Sequence, residues 1–315
     1  MGLTGDRILG ALAVAAAASM WGTLGFFAKI LYAQGLSFES LVAVRASVGW
    51  IAVLGFVLVR RGVRGLRVAR RDLVSLVPGG AVGIGVFYLL YFYTVRESTV
   101  GTAAILLYSA PAFVVVLARL FLREPLSVPK VLALVLTSSG IFLVVGAYDP
   151  ANLEVGPTVL LTGLLSGLAY GLYAVFGRFV AGHLSPAVVL SYALAFASLL
   201  LVPTALSTLD TLAGLPASSY ALLFVLSVVH TTLAFALYTF GIRHLGAGRA
   251  AIVATIEPVV AGAMGIVLLN ERLTVLKALG ALLVLTGAAL AEAGPRKARL
   301  SNGSATGPAE AGRRR

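Results

Sequence analysis

Apolar runs of about twenty residues, separated by short polar or charged clusters, fill this chain from Ile8 to about residue 293. A helix of that length crosses the roughly 30 Å hydrocarbon core of a bilayer. In lipid the backbone has to satisfy its own hydrogen bonds, and runs of this kind do so as helices. Charged residues make up 11% of the chain and hydrophobic residues 59%, against about 25% charged in a soluble domain. The chain therefore reads as an all-α integral membrane protein. Ten transmembrane helices are predicted, at about 8–32, 38–60, 73–95, 100–121, 128–147, 155–180, 186–207, 217–240, 246–268 and 273–293. The first run is too long, and lacks a small-residue cleavage site, for a removed signal peptide.

The 315 residues carry a formal net charge of +12, which invites a nucleic-acid reading. The placement of the charges opposes it, because they flank the apolar runs, where orientation signals belong. Arg60, Arg61, Arg64, Arg67, Arg70 and Arg71 fill the second loop; Arg119, Arg123, Lys130, Arg178, Arg243 and Arg249 fall on the same predicted side. Asp149, Glu154 and Asp210 mark the other side, with Arg96 and Arg272 as exceptions. Both termini are expected in the cytoplasm, in a multi-pass protein of the plasma (inner) membrane. The tail, 294–315, is rich in Gly, Ala, Ser and Arg and is expected to be a disordered basic cytoplasmic segment; Asn302-Gly303-Ser304 within it is read as a chance glycosylation match. With no cysteine, and with His183, His230 and His244 far apart, no metal site and no cofactor is expected.

The chain also repeats itself. Residues 101–111 read GTAAILLYSAP and residues 248–258 read GRAAIVATIEP. The same shift of 147 positions matches Tyr91 with Tyr238, Arg96 with Arg243, Glu124 with Glu271, Lys130 with Lys277 and Gly140 with Gly287. Shared apolar composition does not align scarce Pro, Glu, Lys and Arg, so the pattern reads as a duplication. Residues 1–147 form a first five-helix repeat and 148–293 a second. An odd number of spans makes the second copy enter the membrane from the other face, so the repeats are expected to be inverted. Inverted repeats build alternating-access transporters with a site near the midplane.

Gly-x-Ala-Ala-Ile…Pro followed by LREPLS (122–127) and LNERLT (269–274) in a ten-span plan resembles the EamA-type transporters of the drug/metabolite transporter superfamily. The resemblance covers nearly the whole chain to about residue 293. It implies a central cavity lined by spans 1, 3, 4, 6, 8 and 9 and a small-molecule substrate, among which this family counts amino acids and aromatic compounds. Nucleotide-sugar and sugar-phosphate carriers belong to the same superfamily.

Several residues stand out as candidates for binding or coupling. Glu257 lies about halfway along its span, where a carboxylate is costly unless it faces water, a partner or the bundle interior. Pro258 behind it and Pro111 in the first copy are expected to kink their helices. Arg45 is too deep to reach the interface easily, and either attracts a substrate carboxylate or pairs with Glu257. Lys29 and Arg178, near span ends, are expected to snorkel. Glu124 and Glu271 read as helix caps or inter-helix contacts. His230 reads as a neutral imidazole bonded to a carbonyl or Thr, or else as a pH-sensitive cavity residue. Trp21, Tyr88, Tyr91, Tyr108, Tyr170, Tyr173 and Tyr238 fall within spans, where a wet cavity would satisfy their polar atoms; ordinary packing is the competing account. Gly79, Gly80, Gly83 and Gly85, and Gly163, Gly167 and Gly171, permit close helix approach.

These readings converge on a secondary transporter, an exporter of amino acids or other small, including aromatic, metabolites, and not an enzyme. No ATP-binding loop is present. A polytopic enzyme acting on lipid would need clustered carboxylates, a metal or a nucleophile–base pair, and the intramembrane ionisable residues are scattered. A channel would show flux without saturation. Proton coupling, the direction of net flux and the oligomeric state are not specified by the residues.

Overall fold

The computed structural model describes residues 2–98, 100–144, 146–149, 156–208, 210–269 and 274–293. Glu271, Arg272 and the 294–315 tail lie outside the described residues, as does the Lys29 side chain. The described residues are helical throughout their apolar parts. Helices α1 (Gly2–Ala33), α2 (Phe38–Arg61), α3 (Arg70–Glu97), α4 (Val100–Leu107), α5 (Ala110–Phe121) and α6 (Val128–Val144) make up the first half. Helices α7 (Pro157–Val180), α8 (Pro186–Ala205), α9 (Ala217–Leu245), α10 (Ala247–Ala254), α11 (Glu257–Leu269) and α12 (Val275–Ala293) make up the second. Seven passages are long and apolar enough to cross a membrane, and α5, α6 and α12 are shorter apolar helices. Together they give the ten passages expected, because α4 with α5, and α10 with α11, each form one broken span.

Local chemistry sets the helix ends. The Ser37 hydroxyl accepts from the Ser40 N–H at 3.1 Å to start α2, and Gly62, at φ 62°, ends it by donating to the Leu58 carbonyl. Prolines at the first positions of α5, α7 and α8 cost nothing, since those N–H groups have no partner in a helix. The same rule corrects the expected kinks. Pro111 and Pro258 do not bend a continuous helix; each stands in the first turn of a new one, after a turn at 108–109 and at 255–256. Neither proline can donate to the carbonyl four residues back, so the helical hydrogen-bond ladder is interrupted and the span breaks.

The duplication is visible residue by residue. α3 and α9 start at 70 and 217, and each contains one wide π turn, Ala81–Val86 and Val228–Leu233, at the same offset of 147. The starts of α4 and α10, α5 and α11, and α6 and α12 keep that offset. Packing is reciprocal as well. α1 lies on α9 and α11, while α7 lies on α3 and α5; α2 packs on α8, and α6 on α12. A Cβ at Gly140 would meet the Gly280 carbonyl at 2.6 Å, and one at Gly287 would meet the Ala133 carbonyl at 2.9 Å. Residue i of one copy touching j of the other, and j touching i, is the mark of a two-fold relation.

Polarity runs inward. Leu199, Leu120 and Ile51 are 60–70% exposed, whereas Thr94, Thr137, Ser166 and Thr239 are buried. Each of these four hydroxyls donates to a carbonyl three or four residues back in its own helix, so none of the four is stranded. Such a surface is stable only against hydrocarbon.

The expected glycine contacts are present, and they position the breaks. Gly167 of α7 sits where a Cβ would be 2.7 Å from Ser109 Oγ and 3.0 Å from the Leu107 carbonyl. Gly22 of α1 does the same at the other break, with the Glu257 carbonyl at 2.7 Å. Gly177, one helix face away, has open space. Gly177→Ala is expected to stabilise by up to about 1 kcal/mol through helix propensity. Gly167→Ala is expected to destabilise by about 1–3 kcal/mol through overpacking. Thermal unfolding of the two variants in one detergent checks the opposite signs.

Candidate functional site

The two breaks meet at a central cavity of about 290 Å3. Pro111 and Pro258 lack an N–H, so the carbonyls four residues earlier, on Leu107 and Ala254, lose their helical donors. Both residues line the cavity. Beside them stand the residues of the turns and new helix starts, Tyr108 and Ala110 from one copy and Thr255 and Glu257 from the other. The fold thus places exposed backbone polarity at mid-depth only where it borders a cavity, as lipid demands.

The copies differ most where Glu257 occupies the place held by Ala110. Glu257 lies in the first turn of α11, where the partial positive charge of the helix start favours a carboxylate. The Tyr108 hydroxyl is its hydrogen-bonding neighbour from the other copy. A carboxylate at this depth is therefore held by a helix start and a phenol, and it remains open to the cavity.

Arg45 enters the same cavity from α2, a span outside the six implied by the family resemblance. Its Nε donates to Thr231 Oγ1 at 3.2 Å and its Nη2 to the Tyr88 hydroxyl at 3.3 Å, with the guanidinium 5.1 Å from the Tyr88 ring centroid. The residue is 2% exposed. Among the described residues no carboxylate forms an ion pair with it, so the Arg45–Glu257 pair considered from the sequence is not made. A guanidinium and a carboxyl group thus line one small cavity without pairing with each other. Thr231 was not legible as a partner; its position in the wide turn of α9 is what aims it at Arg45.

Aromatic residues close one end. Trp21 packs edge-on against Phe235 at 5.0 Å, Tyr238 at 5.3 Å and Tyr170 at 6.0 Å. Its indole N–H donates to the His230 carbonyl at 3.1 Å. Trp21, Tyr88, Tyr91, Tyr108 and Tyr170 all line the cavity. Tyr173 and Tyr238 do not. They lie behind Tyr170, 1% and 0% exposed, with the Tyr173 hydroxyl against Thr239. His230 is also outside the wall, with its Nε2 2.9 Å from Thr23 Oγ1. Tyr173 and Tyr238 make up a supporting layer behind Tyr170, whereas the His230 ring packs on Phe27 at 5.4 Å.

On the Arg-rich side of this layer the helices are tied together. Glu124, 7% exposed, accepts from Lys130 Nζ at 2.9 Å and from the Ala247 N–H at 3.0 Å. One copy's loop therefore caps the other copy's broken helix, α10, as the capping reading anticipated. Burial alone would push the Glu124 carboxyl up, but Lys130 and the Ala247 N–H outweigh it and hold the group below its ordinary value. Arg178 does not snorkel freely; its guanidinium donates to the Arg243 carbonyl at 2.9 Å, at the end of α9.

The comparisons agree with this architecture. The EamA-like transporter family model matches residues 8–146 and again 157–292. The chain is 31% identical to an uncharacterized transporter of Archaeoglobus fulgidus over 90% of its own length and 96% of the relative's. It is 25% identical to the uncharacterized inner membrane transporter YicL of Salmonella typhimurium, over 91% and 96%. A solved crystal structure superposes with a TM-score of 0.72 at 20% identity, covering 90% of this chain and 96% of that one, a likeness of fold. With both halves matched and a cavity where the two copies meet, the chain belongs to the EamA-like transporter family and is a multi-pass membrane transporter.

Proposed function

We propose that this transporter carries small zwitterionic metabolites, amino acids above all and aromatic ones among them, by alternating access through the central cavity. The observation that supports this reading is a cavity of about 290 Å3 lined by Arg45 and Glu257, unpaired with each other, and by Trp21 and five tyrosines. The guanidinium takes the substrate carboxylate, Glu257 takes the amine or a proton, and the rings receive a planar or apolar side chain. The volume suits one small molecule. A sugar phosphate would meet a single cation and an opposing carboxylate, which is poorer complementarity.

In this reading residues 1–147 and 148–293 are inverted repeats of five spans each, and the 294–315 tail is a separate basic segment. The arginine-rich loops and both termini face the cytoplasm of a cell bounded by the plasma membrane. The cavity then opens away from the cytoplasm, because its outer wall includes Ala28, Tyr32 and Val95 near the far ends of α1 and α3. The Glu124 cap and the aromatic layer close the cytoplasmic side. Export follows when this closure opens and the mouth at Tyr32 shuts.

Flux into proteoliposomes, with a panel of amino acids and with or without an imposed pH gradient, tests the proposal. Saturable flux of aromatic or branched amino acids is expected. Glu257→Gln is expected to abolish the pH-driven component, leaving exchange at equal pH. A panel that stays flat in sealed vesicles overturns the amino-acid assignment, and unchanged pH-driven flux in the variant removes Glu257 from coupling.

A further inference from the structure

A second cavity, of about 330 Å3, opens where the end of α2 meets the start of α8 and the C-terminal third of α9. Its walls combine Phe56, Leu237 and Phe240 with Arg60, Arg61 and Ser185. Both arginines are exposed, and neither has a carboxylate partner among the described residues. The Arg60 guanidinium stands 5.7 Å from the Phe56 ring centroid, at the edge of the apolar wall. Ser185 precedes α8 in the position of a helix cap, yet its hydroxyl makes no cap bond and is sequestered without a partner. A buried hydroxyl left unpaired costs free energy unless something fills the site. Two free cations, an unpaired hydroxyl and the start of a twenty-residue helix thus converge on one spot.

We propose that this groove binds an anionic phospholipid, with the phosphodiester on Arg60, Arg61 and Ser185 and an acyl chain along Phe56, Leu237 and Phe240. Arginine matches phosphate oxygens in a bidentate manner, and the start of α8 adds its partial positive charge, although Pro186 has no N–H and Val188 and Val189 donate to the Ser185 carbonyl. The apolar walls lie between membrane-spanning helices, so the occupant needs a tail as well as a charge. A free anion satisfies only half of the site. The chain's own tail is a poor candidate, because residues 294–315 hold six Arg or Lys and one Glu.

Native mass spectrometry of the full chain, released from micelles holding equal phosphatidylglycerol and phosphatidylcholine, tests this. The wild type is expected to retain phosphatidylglycerol with an enrichment of roughly 30-fold, the scale set by two arginines beside an anionic headgroup. Excess inorganic phosphate should not displace it. Arg60→Gln with Arg61→Gln should erase the enrichment, Ser185→Ala should reduce it, and Arg64→Gln with Arg67→Gln, outside the groove, should leave it intact. Helical content by circular dichroism confirms that each variant is folded. Equal retention of both lipids by the wild type overturns the proposal. So does an equal loss in the two arginine pairs, which would reveal diffuse surface charge, or displacement by phosphate, which would reveal an anion site without lipid.

Discussion

Replacing Arg45 by glutamine is expected to raise the KM for an amino-acid substrate about 30-fold, with little change for the same molecule lacking its carboxylate. The guanidinium is anchored by Thr231 and Tyr88 and has no protein carboxylate to satisfy. Its remaining donors therefore interact with whatever enters the cavity. A hydrogen bond to a charged group contributes about 1.5–3 kcal/mol, and about 2 kcal/mol corresponds to the stated factor. Glutamine keeps much of the packing while removing the charge, so a general collapse of the cavity is not the expected route. Competition by an amino acid and its decarboxylated amine, measured in the same proteoliposomes, checks this. Equal loss for both ligands would show that Arg45 acts on structure and not on the carboxylate.

Glu124→Ala is expected to cost about 3 kcal/mol of stability, the usual scale for removing one partner of a buried ion pair. It leaves the Lys130 ammonium buried and the first N–H of α10 without an acceptor. The wild type carries a matching pH signature. Because the folded state holds the Glu124 carboxyl below its ordinary value, the pair contributes fully above the unfolded pKa of about 4.3. That contribution is lost as pH falls through the lower folded value. Unfolding midpoints in detergent should therefore fall below about pH 4.3 more steeply for the wild type than for Glu124→Gln. Parallel pH profiles would contradict the role given to this carboxylate.

The spans were legible because a bilayer leaves a helix few choices, and an apolar run of twenty residues has one reading. The duplication was legible through scarce residues, Glu124 with Glu271 and Pro111 with Pro258, which the helix starts of the structure follow. The breaks were not fully legible. A proline inside a long apolar run looks the same whether it bends a helix or starts another, and only the turn at 255–256 separates the cases. Arg45 and Glu257 could be picked out as costly, but their partners could not, since Thr231 and Tyr108 lie 186 and 149 positions away in sequence. Among the aromatics, position within a span did not separate Tyr170, on the wall, from Tyr173, one face-step behind it. That difference is decided by which neighbour each ring meets.

The wide turns in α3 and α9 separate what the two copies share from what they do not. Each occupies six residues, at 81–86 and 228–233, although the two sequences, AVGIGV and VVHTTL, share little. A widened turn arises from an inserted residue, and two independent insertions would rarely land at the same place. The shared offset therefore makes the irregularity a property of the repeat and not of either copy alone. His230 and Thr231, by contrast, stand where the first copy has Gly83 and Ile84. The two copies share the backbone irregularity and differ in the chemistry mounted on it.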